Sequence, residues 1–270
     1  MARVTTPFPT HGTGQRPMPQ RPGYQSFFWS RSTDAVFNVL ILGALWAVYA
    51  AVRSIRSDVE AEALRNAETV LRLQSYVGLD IERGVQAAFD WAPVLIGANT
   101  YYLVHFPLTL LVLAVAFAKD RTEAFVSFRN CLVAVTSAAL VIHLLIPLAP
   151  PRMLDGFIDA SALYGPNPYD FPGSHTANQF AAMPSLHVAW AFLVGHAIHR
   201  LALARTIQTA AIMHGLLTVF VVVITGHHFL ADVLVALLIV AIVFQVEKRW
   251  RAAHPTATSA PAPTPSRSLG

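Results

Sequence analysis

The chain has 270 residues, of which 54% are hydrophobic and 13% are charged, and its formal net charge is +4. The charged share is about half of the ~25% that is typical of soluble domains. This composition argues against an ordinary soluble protein and predicts an all-α, polytopic membrane protein. The basic excess indicates contact with anionic lipid and not with nucleic acid.

The two ends of the chain differ in composition from the middle. Residues 1–25 are rich in Pro, Gly and Gln, and residues 252–270 are mostly Ala, Pro, Thr and Ser. Neither end can bury a hydrophobic core. We therefore expect two disordered cytoplasmic tails around one membrane domain, residues 26–251.

Six apolar runs are long enough to cross a bilayer, which takes about 20 residues. They cover residues 34–52, 97–118, 128–149, 184–204, 207–225 and 229–246. Six spans place both termini on the same side, and most Lys and Arg residues flank the spans on that side. By the positive-inside rule that side is cytoplasmic. The expected fold is a six-helix transmembrane bundle in the cell membrane.

Residues 58–92 lie between the first two spans, and apolar and charged side chains alternate irregularly along them. This pattern predicts an interfacial helical segment on the outer membrane surface. A solvated linker helix explains the pattern as well. Both interpretations stay open at this stage.

The second span carries polar residues near its outer end. Tyr101 and His105 are four residues apart, so they share one face of a helix. Polar side chains within a span usually point into the bundle. An aromatic anchor at the interface next to a buried, hydrogen-bonded histidine is one interpretation of this pair.

The third span ends at Pro150-Pro151-Arg152. Arginine presents a planar, permanently charged group that suits phosphate oxygens. The loop that follows, residues 153–182, is long and contains several Asp and Tyr residues. Long loops between motif-bearing spans often determine specificity.

The fourth span opens with Pro184-Ser185-Leu186-His187. Proline at a first helical position leaves the next backbone N–H groups free at the helix end, where they attract phosphate. Ser185 and His187 are expected on that first turn. Both side chains would then lie at the outer face of the membrane.

The last two spans are joined by Gly226-His227-His228. The glycine is expected to close the first helix of a tight antiparallel pair. His228 and Asp232 are four residues apart, so on a helix the carboxylate can reach an imidazole nitrogen. Such a contact fixes the tautomer and frees the other nitrogen for nucleophilic attack.

Two structural alternatives compete with this interpretation. A single histidine in a span is usually a packed residue, and four histidines lack neighbours that suggest chemistry: His143, His196, His199 and His214. Two histidines and an aspartate can also ligate zinc. Their spacing fits no common zinc pattern, and Arg152 would repel a cation. We therefore expect no metal and no cofactor.

The motifs together resemble the type 2 phosphatidic acid phosphatase superfamily, with Pro-Ser-x-His at residues 184–187 and His-x-x-x-Asp at residues 228–232. Pro-Pro-Arg and Gly-His-His most resemble the branch that contains inositol phosphorylceramide synthases and their bacterial relatives. The resemblance covers roughly residues 78–246. One departure is Val222, at a position where many members have an arginine.

The resemblance implies roles for individual residues. His228 would be the nucleophile, Asp232 its partner and His187 the general acid and base. Arg152 and Ser185 would hold the phosphoryl oxygens. Possible substrate-binding residues are Tyr101, His105 and His227.

Three functions follow as alternatives. The first is transfer of a phosphoryl or head-group phosphate from a membrane lipid to a lipid hydroxyl through a phosphohistidine. The second uses water as acceptor, which makes the protein a lipid phosphate or polyprenyl diphosphate phosphatase. Val222 leaves the phosphate site one cation short, and this favours transfer. The third is a non-catalytic transporter or lipid-binding bundle.

Overall fold

The computed structural model describes residues 31–55, 59–118, 122–170, 179–201 and 203–253. These residues form nine α-helices and no strand, which agrees with the all-α prediction. The helices are α1 (Arg31–Ile55), α2 (Glu60–Tyr76), α3 (Glu82–Ala88), α4 (Ala92–Ala118), α5 (Thr122–Leu145), α6 (Ala160–Tyr164), α7 (Leu186–Arg200), α8 (Arg205–Ile224) and α9 (Leu230–Ala253). A 3-10 turn occupies Pro151–Met153. The predicted tails, residues 1–25 and 252–270, lie outside the described residues except for Ala252 and Ala253, which belong to α9.

The chain divides into two compact units. The first extends to Ile41, and its described part is the N-terminal portion of α1. The second runs from Leu42 onward and contains every residue of the predicted site. All of the packing described below belongs to this second unit.

Four of the described helices are long and apolar enough to cross a membrane. They comprise Ala92–Val115, Ala124–Leu145, Arg205–Ile224 and Leu230–Ala253, and they correspond to four of the six predicted spans. Helix α7 has only 15 residues, about 22 Å at 1.5 Å per residue, against a hydrocarbon core of about 30 Å. The protein therefore has the helices of a membrane protein, while the count of six spans stays a prediction.

Helix α7 lies at the centre of the bundle and contacts α4, α5, α8 and α9. Small and branched side chains make this close packing possible, among them Val188, Ala191 and Val194, all of which are buried. On the outer helices, large apolar side chains such as Leu216 and Leu238 remain exposed. Such a surface suits lipid contact.

Of the predicted segment 58–92, the described residues 59–91 contain helices α2 and α3, which pack against the bundle. Ala63 and Ala67 of α2 are fully buried in a cluster that includes Leu148 and Phe229. The side chain of Asn66 donates to the carbonyl of Pro147 at 2.8 Å. This docking distinguishes the segment from a solvated linker helix, which would have no buried face.

Candidate active site

One end of the bundle collects the predicted site residues. The N-termini of α7 and α9, the C-terminus of α8 and the N-terminal half of α4 meet there, next to the 3-10 turn at Arg152. A single parallel bridge between Leu148 and Ala181 ties the segment after α5 to the segment before α7. The segment that leads into α7 is thereby held beside the segment that leads to Arg152.

The loop between α8 and α9 begins with a Schellman motif, in which a left-handed residue closes the helix. Gly226 has φ +72°, its N–H donates to the Val223 carbonyl at 3.0 Å, and the His227 N–H donates to the Val222 carbonyl at 3.1 Å. A Cβ at Gly226 would lie 2.7 Å from the Ile158 carbonyl oxygen. The prediction that a glycine ends this helix is confirmed. The left-handed conformation of Gly226 sets the direction of the backbone that leads into His227 and His228.

His228 is oriented through its Nδ1 atom. Nδ1 lies 2.8 Å from the Ala182 carbonyl oxygen, which can only accept, so Nδ1 carries the proton. Asp232 Oδ2 lies 3.4 Å from the same Nδ1. The Nε2 atom is therefore the unprotonated nitrogen, and its lone pair is available for attack.

The prediction that His228 and Asp232 share a helix face is wrong in one respect. Helix α9 begins at Leu230, so His228 precedes it and only Asp232 is helical. The two side chains still meet because Asp232 accepts the Phe229 N–H at 2.9 Å and folds back over the helix start. The contact is a property of the helix terminus, not of the i, i+4 spacing along a helix.

The first-turn N–H groups of α9 are already bonded within the protein. The N–H groups of Phe229, Leu230 and Ala231 donate to Asp232, Glu82 and Gln74 at 2.9, 2.7 and 2.7 Å. A helix N-terminus binds phosphate through free N–H groups. The N-terminus of α9 therefore has none of these three N–H groups to offer.

Helix α7 begins two residues after Pro184, so the prediction of proline as the first helical residue is wrong. Ser185 is the N-cap, and its hydroxyl accepts the Val188 N–H at 3.4 Å. Serine is favoured at the N-cap because its hydroxyl accepts a hydrogen bond from a free N–H group in the first turn of the helix. Ser185 is also fully buried. Its hydroxyl stabilises the turn that carries His187.

The imidazole of His187 is enclosed by aromatic rings of α4. Its centroid lies 3.7 Å from that of Tyr102 in a stacked arrangement and 4.2 Å from that of Phe106. The centroids of His187 and His228 are 6.2 Å apart. Their ring planes are inclined by 56°, and the two imidazoles are close enough to contact the same small group.

Tyr102 also stacks on His227, with centroids 4.1 Å apart. His227 is buried, and neither ring nitrogen has a hydrogen-bond partner in the described structure. Burial, followed by the nearby charges of Arg152 and His228, lowers the pKa of His227 well below its usual value. His227 is thus a neutral imidazole with an unused N–H donor.

Arg152 is anchored by three residues of the loop that follows it. Its Nη1 donates to Asp159 at 3.1 Å, its Nη2 donates to Gln179 at 2.9 Å, and the guanidinium lies 4.7 Å from the centroid of Tyr169. The Nε–H is buried without a partner. These contacts fix the position of the guanidinium charge and leave the Nε–H group without an acceptor. Residues 171–178 of the same loop lie outside the described structure.

Tyr101 and His105 point into the bundle, as expected for polar residues in a span. The Tyr101 hydroxyl lies 2.6 Å from Nδ1 of His214 and 2.7 Å from the hydroxyl of Thr218. His105 is 5.3 Å from His187 between ring centroids, and both of its nitrogens are buried without a partner. Tyr101 therefore bonds to α8, whereas His105 lies next to the predicted acid and base.

Val222 is fully buried in the hydrophobic core between α8 and its neighbours. Its carbonyl oxygen accepts the N–H groups of His227 and His228, both at 3.1 Å. The side chain therefore lies in the hydrophobic core, away from solvent. Among the described residues, no three His, Cys, Asp or Glu side chains are placed to hold a metal ion.

Sequence reasoning identified most of these residues but missed Tyr102, Gln74, Glu82 and Gln179. Tyr102 directly follows Tyr101, and nothing in the sequence distinguishes the two tyrosines. The contributions of Gln74, Glu82 and Gln179 come from contacts between residues far apart in the chain, which spacing cannot predict.

A family profile described as the PAP2 superfamily matches residues 68–246, more than half of the chain. The chain belongs to the PAP2 superfamily. Members of the PAP2 superfamily are typically phosphatases or phosphotransferases that act on lipid phosphates, which supports an enzyme with a membrane lipid as substrate. No curated protein and no solved structure matches the chain significantly. The likeness to the inositol phosphorylceramide synthase branch of PAP2 proteins stays a prediction.

Proposed function

We propose that the protein is a metal-independent lipid phosphotransferase. It moves a phosphoryl or head-group phosphate from a membrane lipid to a lipid hydroxyl through a phosphohistidine at His228. The observation that carries this proposal is the fixed tautomer of His228. The Ala182 carbonyl and Asp232 both engage Nδ1, so Nε2 is the nucleophile, and the ring of His187 lies 6.2 Å away.

The first chemical step breaks the bond between phosphorus and the leaving oxygen of the donor lipid. His228 Nε2 attacks phosphorus and forms the P–N bond, while His187, which takes up a proton when the anionic phosphate binds beside it, gives that proton to the leaving oxygen. The Asp232 carboxylate then faces the positively charged ring of phosphorylated His228. Its 3.4 Å distance from Nδ1 is short enough to stabilise that charge.

The second step reverses these roles. His187 takes the proton of the acceptor hydroxyl, the acceptor oxygen attacks phosphorus, and the P–N bond breaks. His228 returns to its neutral form and His187 to its protonated form. One histidine thereby serves as acid in the first step and as base in the second, which microscopic reversibility requires of a symmetric transfer.

The phosphoryl oxygens need donors, and three sources support this part of the proposal. Arg152 contributes a fixed charge and an unused Nε–H, and His227 contributes a neutral N–H. The N-terminal turn of α7 adds the positive end of a helix dipole. His227 thus supplies a donor in addition to Arg152.

The aromatic enclosure of His187 favours a lipid acceptor over water. Tyr102 and Phe106 cover the ring on the side of α4, and only 7% of the His187 surface is exposed. A dry environment of this kind limits hydrolysis of a reactive intermediate. An alcohol that arrives from the bilayer would meet the base without displacing bulk water.

The proposed location is the cell membrane, with both termini in the cytoplasm and the site at the outer face. The distribution of basic residues in the sequence supports this orientation. The donor and acceptor would then be lipids of the outer leaflet.

The direct test follows a phosphate label. Purified protein is given lipids that carry the label in the phosphate group, with and without diacylglycerol or ceramide, and His228→Gln serves as control. Transfer of label to the added lipid supports the proposal, whereas release as free phosphate in both conditions indicates a lipid phosphatase. If neither product forms with any lipid of the panel, a non-catalytic bundle remains.

A further inference from the structure

The start of α9 is held by two side chains from the α2–α3 segment. Gln74 Oε1 accepts the Ala231 N–H at 2.7 Å, and Glu82 Oε1 accepts the Leu230 N–H at 2.7 Å. Gln74 Nε2 donates to the same Glu82 oxygen at 2.6 Å, which links the two side chains. We call this pair the Gln74–Glu82 clamp.

The clamp is buried, although both of its residues are polar. Glu82 is 1% exposed and Gln74 is 4% exposed, and the second carboxylate oxygen of Glu82 has no partner in the described structure. Burying a carboxylate that is bonded through only one oxygen costs stability. The hydrogen bonds that Glu82 accepts from the Leu230 N–H and from Gln74 offset part of that cost.

The residues that the clamp holds lie close to His228 along the chain. Leu230 follows His228 by two residues, and the residue between them, Phe229, is fully buried against Ala63 and Ala67 of α2. The backbone after His228 is therefore fixed by packing and by the clamp. The backbone before it is fixed by the left-handed Gly226.

We propose that Gln74 and Glu82 are positioning residues for His228. They hold the first turn of α9 at the distance at which Asp232 and the Ala182 carbonyl both reach the His228 ring. This inference extends the proposed function, on which its effect on turnover rests. A displacement of about 1 Å in such a site costs up to ~100-fold in rate.

The substitutions separate the loss of the carboxylate charge from the loss of the hydrogen-bond acceptor. Glu82→Gln keeps a carbonyl acceptor at Oε1 for both donors, whereas Glu82→Leu has similar volume and no acceptor. Gln74→Leu removes the bonds of Gln74 to Ala231, Glu82 and the Leu79 carbonyl but leaves the bond between Glu82 and the Leu230 N–H, so it serves as a second, milder variant if Glu82→Leu does not fold. Asn66→Leu is the matched control, since it removes a bond from α2 that does not reach α9.

Two readouts test the inference in detergent-solubilised full-length protein. The first is the imidazole NMR signal of His228 in protein labelled with nitrogen-15 at histidine, assigned by its loss in His228→Gln. The second is the separation of kcat from KM in the label-transfer assay. The NMR signal does not depend on turnover, so it tests the clamp even if the wild type acts on no lipid.

The expected result is a shifted or broadened His228 signal in Glu82→Leu, and a smaller change of the same kind in Gln74→Leu. In Glu82→Leu we expect kcat to fall roughly 10- to 100-fold with little change in KM. Glu82→Gln and Asn66→Leu should keep the wild-type signal and rate. The inference is overturned if the His228 signal is unmoved in Glu82→Leu, or if Asn66→Leu moves it equally. Absence of turnover in the wild type with a shifted signal in Glu82→Leu rejects the proposed function alone.

Discussion

The phenol ring of Tyr102 stacks on the imidazole of His187, with centroids 3.7 Å apart and ring planes 24° apart. The same ring stacks on His227 at 4.1 Å, so Tyr102 lies between the two imidazoles. One side chain of α4 therefore sets the orientation of a histidine from α7 and of a histidine from the loop between α8 and α9.

Replacing Tyr102 by leucine should lower kcat about tenfold. Aromatic pairs are worth roughly 0.5–1.5 kcal/mol beyond their buried area, and 1.4 kcal/mol corresponds to a factor of ten. Tyr102→Phe keeps the stack and should retain most of the rate. Steady-state kinetics measures both variants, with Phe117→Leu as a control that changes an aromatic pair of α4 outside the site. Equal rates in the leucine and wild-type proteins would show that the stack has no catalytic effect.

Gly226→Ala should destabilise the protein and reduce activity. An alanine at φ +72° costs about 1–2 kcal/mol, and its Cβ would also meet the Ile158 carbonyl and the side chain of Gln86 at 2.7 and 2.8 Å. Gly97→Ala is the control, because Gly97 lies within α4 and its added Cβ meets nothing within 4 Å. Thermal unfolding in detergent compares the two. A Gly226→Ala protein as stable as Gly97→Ala would contradict the left-handed geometry.

Arg152→Lys should weaken vanadate inhibition at least tenfold. A lysine ammonium cannot reproduce the planar contacts that Arg152 makes with Asp159 and Gln179, so the charge would no longer be fixed. Vanadate mimics a phosphoryl transition state and reports on the site without lipid. Arg83→Lys is the control, since Arg83 bonds to the carbonyl of Asp155 in the same loop. An unchanged inhibition constant in Arg152→Lys would exclude Arg152 from the phosphate site.

The pH dependence of the rate should not depend on His227. Its pKa is lowered by burial, so it stays neutral at and below the ordinary value of 6.5. A histidine of this kind contributes stability above the unfolded-state pKa, and that stability is lost as the pH falls. We expect His227→Asn to lower kcat/KM about tenfold. In a plot of kcat/KM against pH, the fall of the rate on the acid side should occur at the same pH in His227→Asn and in the wild type. Loss of this fall in His227→Asn would mean that His227 itself titrates.

Much of this site could be predicted from the sequence, because its motifs are local. The apolar runs predicted helices, and four of them are confirmed as long enough to cross a membrane. Gly226 predicted the end of α8, since few residues other than glycine adopt a left-handed conformation. The His228 and Asp232 contact was also expected, although the helix starts later than the spacing indicated.

The parts that could not be predicted depend on contacts between distant segments. The Ala182 carbonyl that orients His228 is a backbone group, and no residue type marks it. Gln74 and Glu82 lie in a segment whose composition fitted two kinds of helix, and their partners are about 150 residues away. His214 showed no chemical neighbour in the sequence, yet it lies 2.6 Å from the Tyr101 hydroxyl.

The proposed mechanism requires His228 to carry the phosphoryl group during the reaction. Rapid quenching of the protein with a phosphate-labelled lipid, followed by mass spectrometry of its peptides, locates the covalent intermediate. We predict an acid-labile, base-stable phosphate on His228 in the wild type, and none in His228→Gln. Turnover of the lipid without any phosphohistidine, or full activity of His228→Gln, would rule out His228 as the nucleophile.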